Sequence, residues 1–414
     1  MTVISGRALF KFARTAAVMA AGISHVPTRI RRSTLPEFKK SMLRGPGKGG
    51  LRRAISGGVI LGIAALTVLT GLTAAHVTTP ASGATLPPAG PQYQHPHDLM
   101  LPPDRLDGLG PTLAPAGTRA AATEAIATAW ASVPDFPTQI QDNVVGFDGN
   151  TVYSVSGWTG HADTADMYSF TPGDAGWTKL PSAPTIRAAA SGAFINGKFY
   201  ITDGWSPDDK PTGELNIYDP ATNRWTTGTA SPRPVAAATA VVNGKLYAIG
   251  GCNASQCGTV SSVEVYDPHT DTWRHAAHYP APTAFAACGG IAGQIYCAGG
   301  SNDQGGLKSA YVYNPHHNKW TRIPSLPVDT FGASYTAADG QLLVQDGLIN
   351  NASQLTNQGW SFSPATGAWT PLPAALTARV RGGSSLGFYQ IGGSGAAAGS
   401  SLASAEVLAG LVAP

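Results

Sequence analysis

The chain has 414 residues, 43% hydrophobic and only 12% charged, which excludes a wholly disordered polyelectrolyte. Fifty Gly and 32 Pro beside nine Trp, 13 Tyr and 12 Phe suit many short strands joined by tight turns, not a helical bundle. The net charge of +3 is split: residues 1–53 carry 12 Lys/Arg against Glu37 alone, whereas residues 54–414 carry 15 Lys/Arg against 23 acids, so the larger part has no nucleic-acid footprint.

In chain order, residues 1–53 read as a basic tail without steady periodicity. Ala54 to Ala75 then contains no charged residue, and Gly58 to Leu72 is mostly aliphatic. About 20 helical residues cross a bilayer core, so residues 54–77 read as a transmembrane helix with the basic tail on the cytoplasmic side. A cleaved export signal is the competing reading. Met42 would then be the start, Arg52 and Arg53 the charged region, and Ala81-Ser-Gly-Ala84 the small-residue site. Both readings place the remainder outside the cytoplasm, anchored or secreted. Nine prolines between residues 80 and 115 make residues 78–120 an extended linker.

From residue 128 a period appears. Trp recurs at 130, 177, 225, 273, 320 and 369, and an aromatic stands seven residues before each of the last five: Phe170, Tyr218, Tyr266, Tyr313 and Phe362. Doublets keep the same beat at Ser156-Gly157, Asp203-Gly204, Gly250-Gly251, Gly299-Gly300, Asp346-Gly347 and Gly392-Gly393. Upstream of each lies a turn: Asp148-Gly149, Asn196-Gly197, Asn243-Gly244, Ala292-Gly293, Asp339-Gly340 and Leu386-Gly387. Asn-Gly and Asp-Gly favour type I′ hairpins, so each unit reads as four short strands. In the third unit these are 236–242, 245–249, 263–266 and 272–274.

Lys245-Leu-Tyr-Ala-Ile-Gly-Gly251, Tyr266-Asp-Pro268 and Trp273 together resemble the kelch repeat, and six copies cover residues 128–412. The resemblance implies an all-β, six-bladed propeller. In the sixth unit Glu406-Val-Leu408 aligns with Glu264-Val-Tyr266, which would put its Trp beyond Pro414, while Trp130 stands ahead of the first complete unit. Residues 128–133 are therefore expected to supply the outer strand of the sixth blade, because an open ring leaves unpaired edges.

The four cysteines form two local pairs. Cys252 and Cys257 bracket a loop tip. Counting outward from Ala292-Gly293 sets Cys288 opposite Cys297 in a non-hydrogen-bonded pair, which suits a cross-strand disulfide. Free thiols and, for Cys-x4-Cys, a zinc site are the alternatives; no cofactor or metal ligand set is assigned. Asn253-Ala-Ser255 and Asn351-Ala-Ser353 are sequons with meaning only in a eukaryotic secretory path.

Loops after the doublets and the starts of first strands face one mouth of a propeller. Trp158, His161, Arg187, Asp203, Trp205, Asp346 and Arg381 fall there. Two aromatics beside carboxylates and Arg form a candidate carbohydrate platform; the alternative is that the Trp residues cap blades and the Arg residues bond carbonyls between blades. No nucleophile elbow, zinc helix, phosphate loop or dinucleotide fingerprint occurs, and no catalytic residue is assigned. The expected role is a binding module for a glycan or protein ligand. The alternative implied by the resemblance is a sugar-active enzyme, either a sialic-acid mutarotase or a galactose-oxidase-like copper enzyme.

Overall fold

A computed structural model describes residues 129–253, 257–395 and 400–411. The basic tail, the apolar segment 54–77 and the linker lie outside the described residues. No helix among the described residues is long and apolar enough to cross a membrane.

The chain forms six four-stranded antiparallel blades. It begins with β1 (Trp130–Val133) and then builds blade one from β2 (Val144–Phe147), β3 (Val152–Trp158), β4 (Asp163–Phe170) and β5 (Thr178–Leu180). Blade two is β6 (Ser191–Ile195), β7 (Lys198–Thr202), β8 (Leu215–Asp219) and β9 (Arg224–Gly228). Blade three is β10 (Ala236–Val242), β11 (Lys245–Cys252), β12 (Val263–Asp267) and β13 (Thr272–His275). Blade four is β14 (Ala287–Ile291), β15 (Gln294–Ala298), β18 (Ala310–Asn314) and β19 (Lys319–Ile323), with a small ribbon, β16 (Ser301–Asn302) and β17 (Gly305–Gly306), between its second and third strands. Blade five repeats that plan with β20 (Ser334–Ala338), β21 (Gln341–Gln345), β24 (Gly359–Ser363) and β25 (Ala368–Leu372), and the ribbon β22 (Leu348–Ile349) and β23 (Gln354–Leu355). Blade six is β26 (Gly383–Ser385), β27 (Tyr389–Ile391) and β28 (Ala405–Leu408), completed by β1. Trp130 pairs with Leu408 and Val133 with Ala405, the closure expected of residues 128–133. The six first strands contact one another in a closed cycle around the axis.

Turn chemistry sets the local geometry. At 196–197, 243–244, 292–293 and 339–340 both turn residues have positive φ, as a type I′ hairpin demands. Blades one and six differ: four residues, 148–151, join β2 to β3, and three, 386–388, join β26 to β27. The doublets hold a left-handed first residue, φ 61–69, in every blade. Gly adopts this freely; Ser156, Asp203 and Asp346 adopt it against steric cost. The second position accepts no side chain: a Cβ on Gly204 would lie 2.7 Å from the Ala188 carbonyl oxygen.

Two closed rings of hydrogen bonds join the blades. At the doublets, Gly157, Gly204, Gly251, Gly300, Gly347 and Gly393 each donate N–H to the next blade, to the carbonyls of Arg187, Val235, Thr283, Thr330, Arg379 and Ile140, at 2.7–3.1 Å. Toward the outside, a Trp on or just before each fourth strand donates Nε1–H to the preceding blade: Trp177 to Pro134, Trp225 to Pro181, Trp273 to Thr229, Trp320 to Ala277, Trp369 to Pro324 and Trp130 to Pro373, at 2.8–3.0 Å. Each Trp from 177 to 369 also lies against its own blade's aromatic, with centroids 5.0–5.4 Å apart. Blade six has Leu408 in that place, and Trp130 packs on Phe388 at 5.1 Å instead.

Both cysteine pairs are disulfides, Cys252–Cys257 and Cys288–Cys297. The second crosses β14 and β15 in the register counted from the turn, with Cα atoms 4.2 Å apart.

Candidate functional site

The seven residues singled out in the sequence do not form one platform. Trp205 is wholly buried: its backbone bridges Ala188 and its ring packs with Ala236, Cys252 and Ala284, so it presents no face to solvent. The expectation of two exposed aromatics fails here because the residue after a doublet pairs with the segment entering the first strand and is drawn under the loop. Trp158 occupies the equivalent place in blade one, bridged to Gln141 and half-buried, while His161 lies exposed on the loop beyond it.

Arg187, Asp203 and Asp346 are fully buried between blades. Arg187 spans three acceptors: the carbonyls of Asp203 (3.0 Å) and Glu214 (2.8 Å) and the Asn216 side-chain oxygen (2.8 Å). Burial pushes this guanidinium down to about 10, so it stays charged at neutral pH. Burial pushes the Asp203 carboxyl up to about 8, against the opposing effects of the Ser231 hydroxyl and the Arg187 charge; at neutral pH it holds its proton. Asp346, the equivalent residue three blades away, is raised well above the carboxylate range by burial, although the Arg379 Nε stands 3.7 Å from it. Arg379 fills in blade six the place of Arg187 in blade two. It donates to the carbonyls of Gly392 (2.7 Å) and Ser404 (3.1 Å) and pairs with Glu406.

Arg381 alone of the seven lines the central cavity, a space of about 120 Å³ bounded by residues from all six blades. The cavity's composition follows from one repeat position, twelve residues after each Trp. That position is occupied in order by Asp142, Ala189, Ala237, Phe285, Gly332 and Arg381, all of which line the cavity. The backbone is left-handed at five of the six: Asp142 (φ 56), Ala189 (50), Phe285 (56), Gly332 (62) and Arg381 (60). At Ala237 a bulge in β10 takes up the irregularity instead. Gly would be at ease throughout, yet three of the places carry large side chains, at a cost of about 1–3 kcal/mol each.

Those three side chains meet. Arg381 holds Asp142 bidentately, Nε to Oδ1 at 2.6 Å and Nη2 to Oδ2. Its guanidinium carbon also lies 5.6 Å from the Phe285 ring centre, over its face. Gly332, between Phe285 and Arg381, leaves room for this contact; a Cβ there would stand 2.6 Å from Val380 and 3.2 Å from the Arg381 side chain. Asn143 is fixed beside Asp142, donating to Ser154 Oγ (2.9 Å) and accepting from Gly383 N–H (3.1 Å). The remaining wall is mostly alanine methyl groups.

Tyr335 crosses this space. It starts on β20 in blade five, and its hydroxyl accepts from the Thr239 N–H in blade three at 3.3 Å, passing the inner edge of blade four. Its own N–H and carbonyl are both bonded to Ser384 Oγ of blade six, at 2.8 Å. Asp142, Phe285 and Tyr335 were not among the sequence candidates. Alignment of the repeats on their tryptophans would have found the first two, since only there does one column hold an acid, a Phe and an Arg.

Comparison with known proteins agrees with this architecture. The kelch motif matches residues 233–278 and 282–327. The chain is a six-bladed β-propeller whose third and fourth blades carry the kelch motif. This kelch propeller is 34% identical over 110 residues to a putative F-box/kelch-repeat protein of Arabidopsis thaliana, covering 26% of the chain and 32% of that protein. It is 33% identical over 141 residues to an N-acetylneuraminate epimerase of Pasteurella multocida, covering 32% and 36%. The chain thus spans about a third of the length of these relatives. The solved structure of YjhT superposes with a TM-score of 0.57 at 19% identity, covering 66% of this chain and 95% of that one, a likeness of fold.

Proposed function

We propose that this kelch propeller is a binding module that takes a glycan or protein ligand at its channel mouth, displayed outside the cytoplasmic membrane. The observation that carries the reading is the gathering of Asp142, Phe285 and Arg381, each held in left-handed backbone, around one cavity. Strain of this kind persists where the surroundings enforce it and clusters at ligand sites. The cavity admits a single small group, such as one side chain or the edge of one sugar ring, and the rest of a larger ligand would lie on the loops around it. Display outside the cytoplasm rests on residues 54–77 as anchor or signal and on the two disulfides, which persist in oxidising compartments.

Capture by the full-length chain on a glycan array and from a surface-protein extract tests the site. Wild type retains a ligand and Phe285→Gly loses it; equal retention by the two overturns the assignment of the mouth. Fractionation tests location: recovery in the soluble cytoplasmic fraction overturns display.

A sugar-active enzyme is the second reading, favoured by the likeness to an epimerase and by a carboxylate and a guanidinium on one small cavity. Both cysteine pairs are disulfides, which leaves no thiol for the Cys–Tyr crosslink of a copper oxidase and makes the mutarotase form the better one. Faster anomer exchange of a sugar, followed by NMR, supports it.

A further inference from the structure

The mouth cavity has a floor and a charge balance that together select what enters. The floor is Tyr335: anchored to blade six through Ser384 and to blade three through Thr239, it lies across the inner edges of the blades between them. The space above it is about 120 Å³. The cup is thus smaller than the roughly 150 Å³ that encloses one benzene ring, so it takes the edge of one ring entering from the mouth and no second behind it. Its wall is built from small residues, Ala189, Ala236, Ala238, Ala286 and Ala333, set beside the polar groups of Asp142, Asn143, Tyr335 and Arg381.

Among the described residues the only charged lining groups are Asp142 and Arg381, whose side chains are 4% and 2% exposed and bound to each other through two hydrogen bonds. A buried pair of this kind is neutral overall. An anionic ligand would have to break it or add an uncompensated charge beside Asp142, and a cationic ligand would do the same beside Arg381. Either is costly where water is excluded.

On the reading that the mouth is the binding site, we infer that this cup is a blind pocket for a single uncharged six-membered ring, such as an unsubstituted hexose end group, and that it rejects the acidic and amino forms of the same ring. The polar edge of such a ring meets the Asp142–Arg381 pair, and its flatter face lies along the alanine wall.

Three isosteric probes test this on the full-length chain by saturation-transfer NMR titration at neutral pH: glucose, glucuronate and glucosamine. Wild type binds glucose more tightly than either charged form by about tenfold or more. Asp142→Asn leaves the Arg381 charge uncompensated and shifts the preference to glucuronate; Arg381→Gln leaves Asp142 and shifts it to glucosamine. Glucuronate or glucosamine binding wild type as tightly as glucose overturns the inference, and so does an order unchanged in a folded variant. Should neither variant fold, the wild-type order decides alone. If wild type binds none of the three while Phe285→Gly still abolishes ligand capture, the inference falls and the mouth remains the binding site. If Phe285→Gly is also without effect, both fall.

Discussion

The outer girdle and the inner ring of this propeller are built from the same six repeats and obey opposite rules. Outside, the same residue does the same thing six times: a Trp on or just before each fourth strand donates to a carbonyl of the preceding blade. Twelve residues later the chain enters each first strand, and no two charged or aromatic side chains there are alike: Asp142, Phe285 and Arg381 stand among Ala189, Ala237 and Gly332. Sameness marks what closes the fold. Difference at a position the fold holds in strained backbone is what the proposed binding site rests on.

The largest expected effect comes from breaking the girdle at its seam. Trp130 is 5% exposed, packs on Phe388 and bonds across 243 residues of chain to Pro373. Trp130→Ala is expected to lose about 3–5 kcal/mol in denaturant unfolding. Deleting residues 121–135 removes the whole strand and is expected to replace one cooperative transition by a broad one, while deleting 78–115 leaves the transition in place.

The seam also shows why so much of the fold was legible. Trp spacing, doublets and the missing outer strand are all periodic, and a period survives in sequence without any knowledge of packing. The Cys288–Cys297 register followed from counting along a hairpin. Of the residues lining the candidate cavity, only Arg381 was legible. Asp142 and Phe285 carry no motif, and their signal is a backbone angle. Trp205 misled because a large aromatic in a loop suggests exposure, whereas the bridge to Ala188 buries it. Asp203 and Asp346 were read as facing the channel, yet each lies between two blades with its carboxyl out of water.

A second test compares two arginines in equivalent places. Arg379 sits against the carboxylates of Glu406 and Asp346 as well as two carbonyls. Arg379→Met strands the Glu406 carboxylate and is expected to cost about 3–5 kcal/mol. Arg187 serves two carbonyls and an amide, so Arg187→Met is expected to cost about 1–3 kcal/mol. Equal losses would mean that the Glu406 pair adds nothing to what the carbonyl bonds supply.

Asp203 gives a smaller effect with a definite sign. Its carboxyl titrates near 8 when folded and near 3.8 when exposed. Between those values the folded chain binds the extra proton, so stability is greatest at the acid end of the window and falls as pH rises toward 8. Its slope is at most on the order of 1 kcal/mol per pH unit, and Asp346 adds in the same direction. Unfolding midpoints from pH 5 to 9 check this. Asp203→Asn keeps the left-handed geometry, since Asn tolerates it, and flattens the part of the slope that belongs to this residue. An unchanged slope would show that Asp203 is ionised, held by Arg187, at neutral pH.

The smallest expected change in stability belongs to the inner ring, and it is the sharpest test of the contrast. Phe285 holds φ 56, where Gly is the easier residue. Phe285→Gly therefore relieves about 1 kcal/mol or more of backbone strain. It also gives up half-buried packing, chiefly the ring contact to Phe331 with centroids 6.5 Å apart and the contact with Arg381. The two effects oppose each other, so the net change is expected within about 1 kcal/mol of zero. Ligand capture, in contrast, is expected to disappear, because the ring that orders the Arg381 guanidinium at the mouth is gone. A large core aromatic behaves otherwise: Phe199 is wholly buried within blade two, and Phe199→Ala is expected to cost about 3–5 kcal/mol. If Phe285→Gly destabilises the propeller as Phe199→Ala does, Phe285 belongs to the core that the repeats share, and the inner ring is not set apart from the girdle.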